Sequence, residues 1–190
     1  MKSAAARIIS AGAIALLAAL AGPAARAAEP FTLTSPDFAD GGELAVKNAG
    51  NVPVNPNCPG QNVSPAFAWS NPPAGTQSFA LLMVDPEGDF GLGGVHWVAY
   101  GIPPTVSGFA AGEVSQPSDK FVGGKNVRGT GTYAGPCPPP GGWHHYTFTL
   151  IATDLDPKVL PPGLTRDELI AALAGHAKAA AGLIGRFRHQ

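Results

Sequence analysis

The sequence predicts a mainly β fold in which short strands pack as a β-sandwich. Short apolar or alternating segments recur between turn signals such as Asn71-Pro72-Pro73 and Ile102-Pro103-Pro104. The chain contains 25 glycines and 20 prolines in 190 residues, a composition typical of many loops and short strands. The strands do not alternate with helical segments as in βαβ units, so a sandwich is favoured over a parallel sheet.

Six strands are predicted, at residues 31–35, 43–47, 66–69, 78–84, 95–102 and 146–153. The last of them is preceded by a stiff turn rich in Pro and Gly, residues 135–142, which should lie at the surface. Side chains alternate between the two faces of a strand, so His144, Tyr146 and Phe148 point the same way. Because Phe148 belongs in the core, His144 and Tyr146 are expected at the mouth of the core.

One helix is predicted near the carboxyl end of the chain. Thr165 and Glu168 form a capping box at its start. Apolar residues then recur at helical spacing as far as Ala180, and the helix is expected to stop at Gly182, before a short strand at 183–187. His176 lies on the apolar face and is interpreted as a packed or capping histidine rather than a ligand.

Residues 1–27 are predicted to be a signal peptide, and 28–190 to form a single domain. The segment has a basic start, an apolar stretch and an Ala25-Arg26-Ala27 cleavage site, and no Cys follows that would carry a lipid anchor. A retained N-terminal anchor is the alternative. We expect a periplasmic or secreted protein with no transmembrane segment after signal removal.

Charge and cysteine usage fit an exported protein. Without the signal, nine Lys and Arg stand against 13 Asp and Glu, a net charge of −4 that argues against nucleic acid as a partner. Cys58 and Cys137 are predicted to form a disulfide, whose loop closure would contribute on the order of 4 kcal/mol. Two free thiols and a two-Cys metal site are the alternatives.

Polar groups concentrate where three of the predicted strands begin or end. Asp85 ends an apolar strand before a Pro, His96 lies near the start of the next strand, and His144 and Tyr146 open the last. A hairpin through residues 88–94 would bring Asp85 beside His96. Two imidazoles, a phenol and the N–H groups of the Gly-Pro turn would form a donor-rich hollow suited to phosphate or carboxylate.

Five ordered motifs carry a resemblance that extends from about Phe31 to Phe187. They are Asn62-Val63-Ser64-Pro65-Ala66-Phe67-Ala68-Trp69, Pro73-Ala74-Gly75-Thr76-Gln77-Ser78-Phe79-Ala80, Asp85-Pro86-Glu87, His96-Trp97-Val98 and Gly135-Pro136-Cys137-Pro138-Pro139 with His144-His145-Tyr146. In this order and spacing they resemble the phosphatidylethanolamine-binding protein family, also called the Raf kinase inhibitor protein family, in its bacterial branch.

The resemblance implies a mostly antiparallel β-sandwich with peripheral short helices, a C-terminal helix and a small anion pocket. It also implies that family members bind phosphoethanolamine-type head groups, that some restrain protein kinases or proteases, and that no catalytic cycle is established. The ligand-binding residues it implies here are Asp85, Glu87, His96, Gly135, Pro136, His144 and Tyr146. We therefore expect an exported small-anion-binding protein of this type, with a protein partner, no cofactor and no metal.

This chain departs from the family pattern after Asp85. The usual Asp-Pro-Asp-Ala-Pro is here Asp85-Pro86-Glu87-Gly88-Asp89, which loses a proline and adds a charge at the pocket rim. The identity of the ligand is the expectation that this change affects most.

Two other function classes remain open on the sequence. Asp85, His96 and His144 could form a two-His, one-carboxylate metal site of a metal-dependent enzyme. A scaffold with a vestigial pocket is the other alternative. A serine hydrolase using Ser64 or Ser78 is disfavoured, because neither serine lies in a Gly-x-Ser-x-Gly elbow.

Overall fold

The computed structural model describes residues 29–189, and the predicted signal peptide lies outside them. Within that range the chain is mainly β, as predicted. The strands are β1 (Thr32–Thr34), β2 (Gly42–Glu43), β3 (Phe67–Ser70), β4 (Ser78–Asp85), β5 (Gly94–Ile102), β6 (Gly108–Phe109), β7 (Val122–Gly123), β8 (His144–Thr153) and β9 (Ala177–Phe187). The helical segments are α1 (Gly88–Gly91), α2 (Arg166–Leu173) and the 3-10 turns Val46–Asn48 and Glu113–Ser115.

The strands form two sheets. A six-stranded sheet has the order β2-β9-β8-β4-β5-β7, and a three-stranded sheet has the order β1-β3-β6. Among the described residues, the strand pairs are antiparallel except for β2 with β9, which is parallel. The predicted strand at 43–47 is wrong beyond Glu43, because the chain turns into a 3-10 segment from Val46.

The core lies between the two sheets and is built around aromatic rings. Phe67 of β3 contacts Phe148 of β8 and Trp97 of β5, with ring centroids 4.9 and 6.4 Å apart. The opposite face of the six-stranded sheet is also covered, because Leu169 and Leu173 of α2 pack there. The long apolar run of β4 fits this central position, since its side chains are buried on both faces.

The helix is shorter than the sequence predicts, since its stop was expected at Gly182. Its capping box is present, but α2 stops at Leu173, and Gly175 adopts a left-handed φ of 82°. The alanines from Ala177 onward instead belong to β9, which pairs along β8. Alanine side chains fit either periodicity, so the strand pairing decides the outcome. His176 is exposed rather than packed, and its Nδ1 lies 2.8 Å from Asp154 Oδ1.

Strand register brings three polar strand ends to one edge of the large sheet. Asp85, at the end of β4, is paired with Gly94 at the start of β5. On its other side β4 pairs with β8, with Val84 opposite Thr147, so His144 at the start of β8 lies beyond the end of β4. Across residues 29–189, none of the helices has the length and apolar character needed to cross a membrane.

Candidate functional site

A cavity of about 560 Å³ opens at this edge of the sheet. It is bordered by the end of β4, the α1 turn, the starts of β5 and β8, and the proline-rich turn before β8. Its lining residues are Asp85, Glu87, Gly88, Asp89, Phe90, Gly93, Gly94, His96, Val127, Cys137, Pro138, Pro139, His144 and Tyr146. Five of the seven residues implied by the resemblance are therefore brought together, and Gly135 and Pro136 are not.

Asp85 organises the floor of the cavity. The residue is only 3% exposed, and its Oδ1 accepts hydrogen bonds from the backbone N–H groups of Glu87 and Gly88 at 3.0 and 3.1 Å. Its Oδ2 accepts the Nδ1–H of His144 at 2.8 Å. The carboxylate is thus satisfied by the protein, and it fixes the tautomer of His144 so that Nε2 is the ring nitrogen left for a ligand.

His96 is held as a neutral ring. Its Nδ1–H donates to the carbonyl of Ala134 at 2.8 Å, which leaves Nε2 as an acceptor. Burial is the main cause that lowers the pKa of His96, and the charge of Arg128 acts in the same direction. The ring meets that of Tyr146 edge to face, with centroids 5.1 Å apart.

Tyr146 carries the least satisfied polar group of the cavity. Its side chain is fully buried, and its hydroxyl makes no hydrogen bond of normal geometry among the described residues, although the Asp85 carboxylate lies near it. Burial raises the pKa of Tyr146, and the nearby Asp85 carboxylate raises it further, so the hydroxyl stays protonated. A buried donor without a partner is costly, and it therefore favours a ligand that supplies an acceptor.

Glu87 is a second carboxylate of the cavity and lies nearer the surface than Asp85. One oxygen accepts the backbone N–H of His145 at 3.0 Å, and the other accepts its Nδ1–H at 2.8 Å. Partial burial acts to raise the pKa of Glu87, but these bonds outweigh it and lower the pKa to about 2. Glu87 is therefore a charged carboxylate whose acceptors are already used by the protein.

The rim of the cavity also carries exposed apolar side chains, which were not predicted from the sequence. Phe90 and Leu92 are 103% and 84% exposed. In the α1 turn Asp89 and Phe90 have φ values of 49° and 58°, so the turn is left-handed and presents Phe90 to solvent. The only sequence signal was the unusual Gly88-Asp89-Phe90 segment that replaces the expected proline.

The Gly-Pro turn does not supply the donors that were expected from it. The N–H of Gly135 donates to Asn62 Oδ1 at 2.8 Å, and Pro136 has no N–H. Gly135 instead permits close packing, because a Cβ there would overlap the backbone of residues 48–50. The wall is formed by the next residues, and Cys137 within it is joined to Cys58 by the predicted disulfide.

Three side chains could hold a metal ion, and they differ from the set considered above. Ligand atoms of Asp85, Glu87 and His144 all lie within 4.8 Å of one another. His96 does not belong to this group. Ser64 and Ser78 do not line the cavity, and the Ser78 hydroxyl donates to the carbonyl of Leu155 at the far end of β4.

The fold and the cavity define a class of protein: a two-sheet β protein with a small polar pocket at the strand ends of its larger sheet. Within that class the comparison with known families is specific. The model of the phosphatidylethanolamine-binding protein family matches residues 34–188, and the chain belongs to this family.

Individual relatives agree with this assignment. The chain is 41% identical to the putative lipoprotein LppC of Mycobacterium tuberculosis over 167 residues, covering 86% of this chain and 75% of the relative. The crystal structure of YbcL from Escherichia coli has 28% identity and a TM-score of 0.74, covering 84% of this chain and 99% of YbcL. A homologue from Chlamydia trachomatis has 29% identity and a TM-score of 0.72, covering 84% and 98%.

Proposed function

We propose that the protein binds a small phosphate-bearing ligand of the phosphoethanolamine type in the Asp85 cavity. The observation that carries the proposal is the buried Tyr146 hydroxyl, which has no partner among residues 29–189 and lines the same cavity as His144. The Asp85 carboxylate accepts the Nδ1–H of His144, so Nε2 is the ring nitrogen available to a phosphate group.

The remaining polar groups favour a zwitterionic ligand over a plain anion. His96 Nε2 accepts a hydrogen bond, which suits a protonated phosphate oxygen. Asp89 lies at the exposed rim, and no hydrogen bond or ion pair engages its carboxylate within the described chain. An ammonium group beside Asp89, with the phosphate at Tyr146 and His144, would use both sides of the cavity.

Titration of the protein with phosphoethanolamine, followed by NMR, tests the proposal. Saturable shifts are expected at His96, His144 and Tyr146, with weaker binding of inorganic phosphate and none of ethanolamine. Asp85→Asn and His144→Ala should abolish the shifts. The matched control is His176→Ala, because His176 also bonds an aspartate through Nδ1 at 2.8 Å but lies far from the cavity. A native protein without saturable shifts at these positions would refute the proposal.

A binding role without catalysis is part of the proposal, and the metal-dependent enzyme is the second candidate. The proximity of Asp85, Glu87 and His144 is the observation that favours it. Against it, the Asp85 carboxylate already accepts two backbone N–H groups and the Nδ1–H of His144, and both oxygens of Glu87 accept hydrogen bonds from His145. Metal analysis with and without chelator decides between them: we expect less than one equivalent of zinc, iron or copper. A full equivalent whose removal abolishes an activity would favour the enzyme.

Export and a protein partner complete the proposal. Export is supported by the signal-like segment, the disulfide, and a relative named as a lipoprotein. The exposed Phe90 and Leu92 beside the cavity mouth support a partner surface, since large apolar side chains this exposed are typical of contact sites. Cell fractionation of the tagged chain, with the precursor and mature masses compared, tests the export.

A further inference from the structure

A second polar hollow lies on the other side of the disulfide from the Asp85 cavity. It has a volume of about 400 Å³, and we call it the Arg128 hollow. The loop before β3, the 3-10 turn Glu113–Ser115 and the loop after β7 enclose it. Its lining residues are Asn51, Gln61, Asn62, Val63, Gly112, Ser115, Gln116 and Arg128, and no carboxylate is among them.

Arg128 brings an unneutralised positive charge to this hollow. Its Nη1 donates to Asn62 Oδ1 at 3.4 Å, which is long for a hydrogen bond, and its Nη2 donates to Cys137 Sγ, a weak acceptor, at 3.5 Å. Within residues 29–189 it forms no ion pair with an acidic side chain. Partial burial lowers the pKa of Arg128, which marks a guanidinium whose hydration is reduced and not replaced by a counter-ion.

The wall that holds Arg128 is fixed by internal hydrogen bonds. Asn62 Oδ1 also accepts the Gly135 N–H at 2.8 Å, and its amide donates to the carbonyl of Tyr133 at 3.1 Å. The Ser115 hydroxyl accepts the Ser64 N–H and donates to the carbonyl of Asn62, at 2.8 and 2.6 Å. These groups are occupied, so they shape the hollow rather than bind in it.

Three exposed amides complete the hollow and are left for a ligand. The side chains of Asn51, Gln61 and Gln116 make no hydrogen bond to any part of the chain that the structure describes, and all three line the hollow. An amide offers two N–H donors, and a guanidinium offers five in a planar fork. A planar fork with surrounding amide donors and no acid matches a carboxylate or a phosphate group.

We infer that the Arg128 hollow is a second binding site, for a small oxyanion whose uncharged part is polar. Arg128 would contact two oxygens of the anion, and the amides of Gln61 and Gln116 would also donate hydrogen bonds to the anion. The site is separate from the Asp85 cavity, because the two share no lining residue. The inference does not depend on the function proposed for that cavity.

Titration with inorganic phosphate and with acetate, at constant ionic strength, tests the site by NMR. Saturable shifts are expected at the Arg128 Nε–H and at the Gln61 and Gln116 amides. Arg128→Gln should weaken binding there by roughly tenfold or more, since a hydrogen bond to a charged group is worth about 1.5–3 kcal/mol. The matched control is Arg166→Gln, which removes the same charge from a partly buried arginine that does not line the hollow and should leave binding there unchanged.

Two further variants keep the result interpretable. Gln116→Ala removes an amide that holds no other residue, so it should fold normally and weaken binding at the hollow several-fold even if Arg128→Gln fails to fold. His144→Ala should remove shifts at the Asp85 cavity and preserve those at Arg128, which separates failure of one site from failure of the other. The inference is overturned if neither anion gives saturable shifts at Arg128, or if binding is unchanged in the Gln116 variant.

Discussion

The two ends of the large sheet each contain a buried tyrosine, and the two hydroxyls differ in their hydrogen bonds. At the end bordered by α2, the Tyr100 hydroxyl donates to the carbonyl of Pro161 at 2.6 Å and accepts the N–H of Leu164 at 3.2 Å. At the cavity end, the Tyr146 hydroxyl is equally buried and has no partner in the described chain. The comparison distinguishes a hydroxyl that stabilises a loop from one that is available to a ligand.

The largest expected effect comes from removing the disulfide that holds the cavity wall at the Tyr146 end of the sheet. Replacing Cys58 and Cys137 together by Ser removes a crosslink between residues 79 apart in sequence. We expect a loss of about 2–5 kcal/mol in the free energy of unfolding, measured with urea. Hydrogen exchange should increase more at the Tyr146 amide than at the Tyr100 amide. A loss below about 1 kcal/mol would show that the wall holds without the crosslink.

A pair of Tyr→Phe variants tests the comparison directly. Tyr100→Phe removes two hydrogen bonds, one to the carbonyl of Pro161 and one from the N–H of Leu164, and should cost about 1–3 kcal/mol of stability. Tyr146→Phe removes a hydroxyl that makes no well-formed hydrogen bond, although the Asp85 carboxylate lies near it, so it should cost less stability than Tyr100→Phe while weakening phosphoethanolamine binding. Urea denaturation and NMR titration measure the two quantities. Equal losses of stability would mean that Tyr146 also has a structural partner.

The free energy of unfolding measured at acidic pH tests whether His96, at the cavity end of the sheet, is a buried neutral ring. Because its pKa is lowered from 6.5 in the folded state, the unfolded chain takes up a proton first as the pH falls. Stability should therefore decrease below about pH 6.5, by at most about 1.4 kcal/mol per pH unit from this group. His96→Gln should remove that part of the slope, and an unchanged slope would contradict a buried neutral ring.

The smallest expected effect concerns the pair of Glu87 and His145 on the outer rim. Both side chains are more than a third exposed, so Glu87→Gln should cost only about 0–1 kcal/mol at neutral pH and low salt. The depressed pKa of Glu87 contributes stability above pH 4.5 that is lost as the pH falls through about 2. The difference between the two proteins should therefore vanish near pH 2, and a difference that persists there would point to packing instead of charge.

Much of the fold follows from local sequence pattern. Continuous apolar runs and strict alternation gave β4, β5 and β8 nearly at their observed bounds, because these patterns match strands buried on two faces or on one. The two-residue strands β6 and β7 carry too little pattern to be predicted. The alanines of β9 were ambiguous, and their conformation depends on pairing with β8.

The site, like the fold, could be predicted from the sequence only in part. Position at a strand end was enough to place Asp85 and His144 in one neighbourhood. The use of the Gly135 N–H was not predictable, because its acceptor on Asn62 lies 73 residues away in sequence. The missing partner of Tyr146 is likewise a property of the assembled loops. The sequence therefore does not determine which distant residues form hydrogen bonds with the polar groups of the site.

The position of β9 has a consequence for biosynthesis. This strand is the last of the described strands in chain order, yet it lies between β2 and β8 and contributes Leu183 and Phe187 to the core. The large sheet therefore cannot close until residues 177–187 have left the ribosome. Until then the chain can still pass unfolded through a translocation channel, as the proposed export requires.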